Sequence, residues 1–342
     1  MRLGLALGYT GEPMNEVLPA VRAAEDSGYE SVWSLEEFGT DGVTVLGYLA
    51  AKTERIKLGT GILQIAPRTP TLTAQTATAL DALSDGRTLL GLGLSQPWLV
   101  ERWHGRPFGS PVEVLREYVT IVREAIAREA PLEFDGRHYQ IPYRGPDARS
   151  EPKGIKLLYP PPRPHIPIYL GTTGPRTVSL TGEIADGWLA GGLYTPEHED
   201  VVLRPLDEGI RRAGRPASDV EIARIVDVLL DDDLDAARGE VRQVLASYLG
   251  PKGAGVTNVH FDQACEMGFE SEAQKIRELF VAGKRREAAA AVPDALVDAY
   301  ALIGPLPRIV DRLAAWKESR VGTLVLLTRD VEVIEAAAQA LR

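Results

Sequence analysis

Cysteine is almost missing from this 342-residue chain, which has one, Cys265. A single thiol excludes an internal disulfide and any zinc site built on paired cysteines, and it fits a reducing compartment. Basic residues are also short, with 38 Lys and Arg against 48 Asp and Glu and a net charge of -10. That balance argues against nucleic acid as a partner, because such binding needs a basic face. No run of eighteen apolar residues occurs, so no membrane span is expected. The apolar stretch 3–7 is too short for a signal core and reads as a first strand, with the cytoplasm as the expected location. The five histidines (104, 138, 165, 198 and 260) lack metal-ligand spacing, and no metal is expected. Asp231-Asp232-Asp233 has no further ligands at a usable spacing and reads as a solvated loop before a helix. No Ser–His–Asp or Cys–His pairing can be assembled.

Against these absences stands a regular alternation. With 44% hydrophobic and 25% charged residues the composition is that of an ordinary globular protein. Strand patterns at 2–7, 30–35, 56–64 and 87–94 alternate with helical ones at 13–27, 41–53 and 70–83, and a long helix follows at 111–128. The proline-rich segment 131–165 interrupts the cadence as an insertion. Strands resume at 167–171, 186–190 and 220–230, separated by helices at 175–184 and 197–213. Residues 234–315 read as mostly helical, with a second insertion over about 234–300 and a helix at 305–317. A strand at 323–327 and a helix at 331–341 close the chain. Eight parallel, helix-linked strands specify an α/β fold, a (β/α)8 TIM barrel, as one domain over 1–342 with insertions after strands four and seven. The helices at 42–51 and 70–80 carry no charged side chain, unlike the usual outer helix with a polar stripe. They are expected to form a homodimer interface, or else to lie under an insertion.

In such barrels the site lies where strands end. Glycine recurs there, at Gly8-Tyr9, Gly61 to Gln64, Gly93-Leu94-Ser95, Gly171 to Gly174 and Gly191-Gly192. This is expected to keep the mouth roomy for a broad, flat ligand. The third strand, with Gly59 and Gly61, suits either a bulge beneath a ligand or a strained strand with none. Thr173, Gly174, Arg176 and Thr177 open a helix after strand five, and free N–H groups there suit a phosphate. Glu36 and Glu37 end strand two, and strand parity with Val32 and Ser34 turns Glu36 into the barrel. His104, just beyond the fourth tip, completes the candidate proton donors Glu36, Glu37 and His104. Gly91 to Gln96 imitates a dinucleotide fingerprint but lacks its third glycine.

With these tips assembled, the chain resembles the bacterial-luciferase-like superfamily, and within it the branch that uses the deazaflavin coenzyme F420 and includes methylenetetrahydromethanopterin reductase. The segments carrying the likeness include Ser31-Val32-Trp33 with Glu36, Arg55 to Ile62, Leu80 to Arg87, Gly91 to Ser95, Trp103-His104-Gly105, Gly174-Pro175 and Glu183 to Trp188. The resemblance implies a non-prolyl cis peptide at Gly61–Ile62 backing the deazaflavin. It implies cofactor contacts from Glu36, Gly61, Ile62, Gln64, Ser95, Thr173, Gly174, Arg176 and Thr177. Gln96, Trp98 and Arg102 depart from the smaller or polar residues of relatives, and with Tyr9 they form the expected substrate pocket. Relatives that oxidise glucose 6-phosphate place a glutamate where Pro97 stands and a histidine where Glu37 stands, so that reaction is not expected. The expected activity is F420-dependent hydride transfer to a small organic substrate, favouring reduction of C=C or C=N. Two alternatives stand beside it: an FMN-dependent monooxygenase, and a flavin- or deazaflavin-binding protein without turnover.

Overall fold

The computed structural model describes residues 1–8, 14–250 and 258–341. Its centre is a closed ring of eight parallel strands: β1 (Arg2–Leu7), β2 (Ser31–Ser34), β3 (Lys57–Thr60), β4 (Thr88–Gly93), β5 (Ile168–Leu170), β6 (Gly187–Ala190), β7 (Glu221–Leu230) and β8 (Thr323–Leu327). Each strand pairs with its predecessor, and β8 returns to β1 with Leu5 opposite Leu326. The (β/α)8 barrel expected from the alternation is the fold. Its helices form the outer layer, and no helix among the described residues is long and apolar enough to cross a membrane.

The interior is filled rather than hollow. Ala6, Trp33, Leu35, Leu89, Tyr169, Leu189, Ala223 and Val325 form one buried cluster. The rings of Trp33 and Tyr169 meet edge to face at 5.2 Å, a favoured aromatic geometry. This floor gives Gly59 a packing role, where the sequence left the third strand open between a bulge beneath a ligand and a strained strand with none. A Cβ at Gly59 would lie 2.3 Å from Trp33 Cε3, and one at Gly187 would lie 2.2 Å from Tyr169 Cε1. Both glycines exist to admit large rings.

Strands β3 and β4 approach still more closely one step further up. A Cβ on Gly91 would sit 1.9 Å from the Thr60 carbonyl oxygen. The Thr60 hydroxyl bridges the same spot, accepting from the Gly91 N–H at 2.8 Å and donating to the Gly91 carbonyl at 2.7 Å. Beyond this point the ladder slips. Leu58 and Gly59 face Thr88 and Leu89, but Leu63 and Gln64 face Leu92 and Gly93. Three residues of the third strand (60–62) therefore oppose two of β4, which is a β-bulge. The peptide between Gly61 and Ile62 is cis.

The outer helices Gly42–Ala50 and Pro70–Leu83 are capped by Asp41, which accepts from the Thr44 N–H at 2.7 Å, and by Thr69. Between β4 and β5, Phe134–Asp135 and Gln140–Ile141 form a small hairpin. Glu117 holds it by accepting the backbone N–H groups of Arg137, His138 and Tyr139. After β7 come the helices Leu234–Leu249, Val259–Glu266, Glu270–Val281, Arg285–Ala290 and Asp294–Tyr300, which share their own apolar core. Asp233 caps the first of these by accepting from Asp235 and Ala236, so the aspartate run serves the helix start, as expected.

Gly91→Ala is expected to destabilise the protein by about 3 kcal/mol or more, because backbone cannot move aside as a side chain can. Gly239→Ala, on a helix face where a Cβ meets nothing within 4 Å, should instead stabilise by about 0.5–1 kcal/mol. Urea unfolding measures both, and an unchanged midpoint for Gly91→Ala would refute the close approach.

Candidate active site

The slip in the third strand delivers Gln64 to the barrel mouth, where it is almost fully buried. Its backbone N–H donates to Glu36 Oε2 at 3.2 Å, and its Nε2 donates to the Glu37 carbonyl at 2.5 Å. Its Oε1 lies 3.0 Å from His104 Nε2. Since that oxygen can only accept, the imidazole carries its proton on Nε2. Glu36, Gln64 and His104 are thus one constellation, supported by the short helix Pro97–Arg102 and the turn after it.

Glu36 reaches this place differently from the route read in the sequence. Trp33 and Leu35 belong to the barrel interior, while Val32 packs with the outer core. The parity argument therefore fails, because Val32 and Ser34 point away from the barrel axis. Glu36 instead turns toward the third strand and pairs with Arg68 at 3.1 Å. Arg68 also binds Asp41 at 2.6 Å. Arg68 was not among the residues singled out from the sequence. The available signal was a lone arginine among prolines at the tip after the third strand, in Pro67-Arg68-Thr69-Pro70.

The two glutamates are set up unequally. Burial, assisted by the nearby Asp41 charge, raises the Glu36 pKa despite Arg68 and the Gln64 N–H. Burial alone raises that of Glu37. Burial also lowers the His104 pKa, with Arg68 adding to it, so the imidazole is held neutral. For Asp41, burial works upward but is outweighed by Thr44 and Arg68, and the carboxyl stays low.

Across the mouth, Gly174 caps the helix Pro175–Ile184, and the Thr177 hydroxyl donates to the Gly174 carbonyl at 2.9 Å. Arg176 is exposed and Thr173 half-buried. The tip glycines divide into two kinds. Gly93 and Gly171 make room for Ile62, whose side-chain carbons a Cβ would approach to 2.9 and 2.6 Å. Among the described residues, a Cβ at Gly174 or Gly191 would meet nothing nearer than 3.5 Å. The expected room is therefore left only at Gly174 and Gly191 among these glycines, whereas Gly93 and Gly171 admit the Ile62 side chain.

Ser95 adopts a left-handed φ of 64° at the fourth tip. Gln96 and Arg102 are exposed there. Trp98 is 45% exposed and packs edge to face on Phe38 at 5.9 Å, forming a lip with Trp103. Tyr9 lies outside the described residues. No cluster of candidate metal ligands occurs among the described residues.

A family model described as luciferase-like monooxygenase matches residues 1–323. The chain belongs to the luciferase-like monooxygenase family. It is 39% identical over 99% of its length to a Mycobacterium tuberculosis protein provisionally named a coenzyme F420-dependent oxidoreductase, covering 98% of that protein. It is 27% identical to 5,10-methylenetetrahydromethanopterin reductase of Archaeoglobus fulgidus, over 89% of this chain and 87% of the relative. Among solved structures, the F420-dependent tetrahydromethanopterin reductase of Methanopyrus kandleri superposes with a TM-score of 0.79 at 23% identity, covering 99% of this chain and 97% of that one. This places the superfamily resemblance read from the motifs on firm ground. Beside the constellation, this luciferase-like protein also has a cleft of about 370 Å³, lined by Ile65, Leu94, Val100, Phe108, Arg106 and the same Arg68 that holds Glu36.

Arg68→Met should raise the Glu36 pKa further, since it removes the strongest force opposing burial. A carboxyl with a raised folded-state pKa contributes stability below the ordinary carboxylate range and loses it as pH climbs through the shifted value. The variant is therefore expected to lose about 1–3 kcal/mol at pH 7, with a smaller deficit at pH 5. Equal deficits by urea unfolding at both pH values would count against the assignment.

Proposed function

We propose that this protein is an oxidoreductase that uses coenzyme F420 to reduce a C=C or C=N bond in a small organic substrate. The observation that carries the reading is the Glu36–Gln64–His104 constellation set on a glycine bulge, in a chain 39% identical over nearly its full length to a protein named for F420 dependence. The residues present fit the coenzyme. The bulge offers Gly61 and Ile62 as a shelf above the Trp33–Tyr169 floor, and Gly174 and Gly191 leave a cradle at the opposite tips for a phosphate.

In this reading Gly61, Ile62, Gln64 and Ser95 hold the ring. Thr173, Gly174, Arg176 and Thr177 hold the phosphate with free N–H groups and hydroxyls. The coenzyme, when bound, supplies a hydride, and the protein supplies orientation and a dry floor. Glu36 fixes the Gln64 backbone, and neutral His104 fixes its side chain. Glu37, its carboxyl pKa raised by burial and its side chain outside the Gln64 network, is the proton donor to the substrate in this reading. Gln96, Trp98 and Arg102 form the rim over which the substrate enters.

A second reading, an FMN-dependent monooxygenase, is favoured by the family's own description. Fluorescence titration of the purified protein with F420 and with FMN tests both. Saturable F420 binding without FMN binding is expected, and the reverse would sink the proposal. Gly174→Asp places a carboxylate in the cradle, where the backbone has room for it, and should abolish F420 binding while the protein stays folded. Glu37→Gln should bind F420 normally yet lose about 10²–10⁴-fold in turnover on a panel of enones and imines. Absence of turnover by the unmodified protein on any of them would favour a binding protein instead.

We further propose a homodimer through the charge-free helices. Tyr48 and Leu72 stand 39% and 49% exposed on them, an apolar face of the kind that associates. Leu72→Glu is expected to convert a dimer into a monomer in sedimentation equilibrium. A monomeric unmodified protein would rule the interface out.

A further inference from the structure

Strand β7 carries a buried cation with a free edge. Arg224 is 3% exposed, and its Nη1 donates to the Ala190 carbonyl at 3.3 Å. Among the described residues its Nε and Nη2 have no hydrogen-bond partner. The surroundings are aromatic, with the guanidinium carbon 6.0 Å from the Tyr300 ring. Asp227 contributes a field, but its carboxylate is engaged by the Tyr300 hydroxyl. A buried guanidinium left in this state is costly unless something negative meets it.

A second buried nitrogen borders the same spot. His260 Nδ1 makes no well-aligned hydrogen bond among the described residues, although the Gln263 side chain lies beside it and interacts with the imidazole, and the ring stacks on Tyr248 at 4.9 Å. A Cβ built on Gly192 would come within 3.2 Å of that nitrogen. Arg224 sits against Ala190 and His260 against Gly192, so both flank the Ala190-Gly191-Gly192 tip of β6. This tip adjoins the cradle already described. A Cβ at Gly191 would lie 3.5 Å from Thr173 Cγ2, and one at Gly174 would lie 4.0 Å from Val259 Cγ2, the neighbour of His260.

We propose that Arg224 and His260 bind an oxyanion of the phosphate class at the tip of β6. The free edge of Arg224, Nε with Nη2, is the one that takes two oxygens side by side. His260 Nδ1 reaches a third, which suits a tetrahedral phosphate better than a planar carboxylate. The proposal rests on the deazaflavin reading only for which molecule brings the phosphate: the coenzyme's tail, or a substrate or free phosphate.

Three probes test it on the full-length protein: inorganic phosphate, F420, and the deazaflavin chromophore lacking the phosphate tail. The unmodified protein should show a rise in thermal midpoint with inorganic phosphate, and Arg224→Met and His260→Gln should remove it. If the phosphate is the coenzyme's, both variants should also lose about ten- to a hundredfold in F420 affinity while binding the tail-less chromophore as before. If F420 affinity is unchanged while phosphate protection is lost, the site still stands, with a substrate or free phosphate as its ligand. Phosphate protection in a protein that binds neither deazaflavin would uphold the site and overturn the coenzyme reading. Unchanged phosphate protection and unchanged F420 affinity in both variants would overturn the site. His260→Gln keeps the test decisive should Arg224→Met fail to fold.

Discussion

Where Thr60 meets Gly91, two backbones lie closer than any side chain at residue 91 would permit. The threonine hydroxyl satisfies the Gly91 N–H and carbonyl that the displaced ladder leaves without a strand partner, which a buried backbone requires. With both strands pinned there, the extra residue of the third strand has to be accommodated immediately above, at 61–62. Pairing then resumes one step out of register, and this shift is what brings Gln64 between Glu36, Glu37 and His104. Without that contact, the mouth would present an ordinary strand end.

Gln64 illustrates how a neutral side chain can organise charged ones. It uses one donor on the Glu37 carbonyl, its acceptor on His104, and its backbone N–H on the Glu36 carboxylate. Glu36 is thereby committed, because Arg68 and Gln64 occupy its oxygens. Glu37 spends only its backbone carbonyl on this network, which leaves its carboxyl to respond to burial alone. Two adjacent glutamates are thus divided between one bound into the network and one whose carboxyl stays outside it, and it is the second that the proposed function uses as proton donor. A similar division by environment recurs wherever neighbouring carboxylates take different roles.

The barrel was legible in the alternation of strand and helix patterns, since eight strand periods separated by helices admit few arrangements. The constellation was partly legible, because Glu36, Gln64 and His104 all fall at strand tips or just beyond them. Two things were not legible, for reasons that lie in packing. Strand parity depends on which residue faces the axis, and Trp33, large enough to suggest an outer position, is the one that fills the floor. Nor does a glycine in sequence reveal whether it yields to a ligand or to a neighbour. Gly59 yields to Trp33 and Gly171 to Ile62, whereas a Cβ at Gly174 or Gly191 meets only ordinary contacts among the described residues. Arg68 escaped notice because an ion pair across two loops leaves no periodic trace.

These contrasts divide the mouth into two unlike halves. From β2 to β4 the tips are packed by side chains and tied by the Gln64 network, so this side can serve as a rigid wall. From β5 to β7 Gly174 and Gly191 keep the tips small, the helix start at Gly174 suits an anion, and among the described residues the buried Arg224 Nε and Nη2 have no hydrogen-bond partner. Rigid, apolar backing suits a planar ring, and open backbone with positive character suits a phosphate. A ligand carrying both parts at a fixed separation would be oriented by this asymmetry alone, before any side chain on the rim made a contact. The helical insertion after β7 supplies His260 to the polar half, with its own apolar core holding that helix in place. If the proposed oxyanion site is occupied, the insertion belongs to it as much as the barrel does, and changes within that core should be felt first as loss of the phosphate end of the ligand.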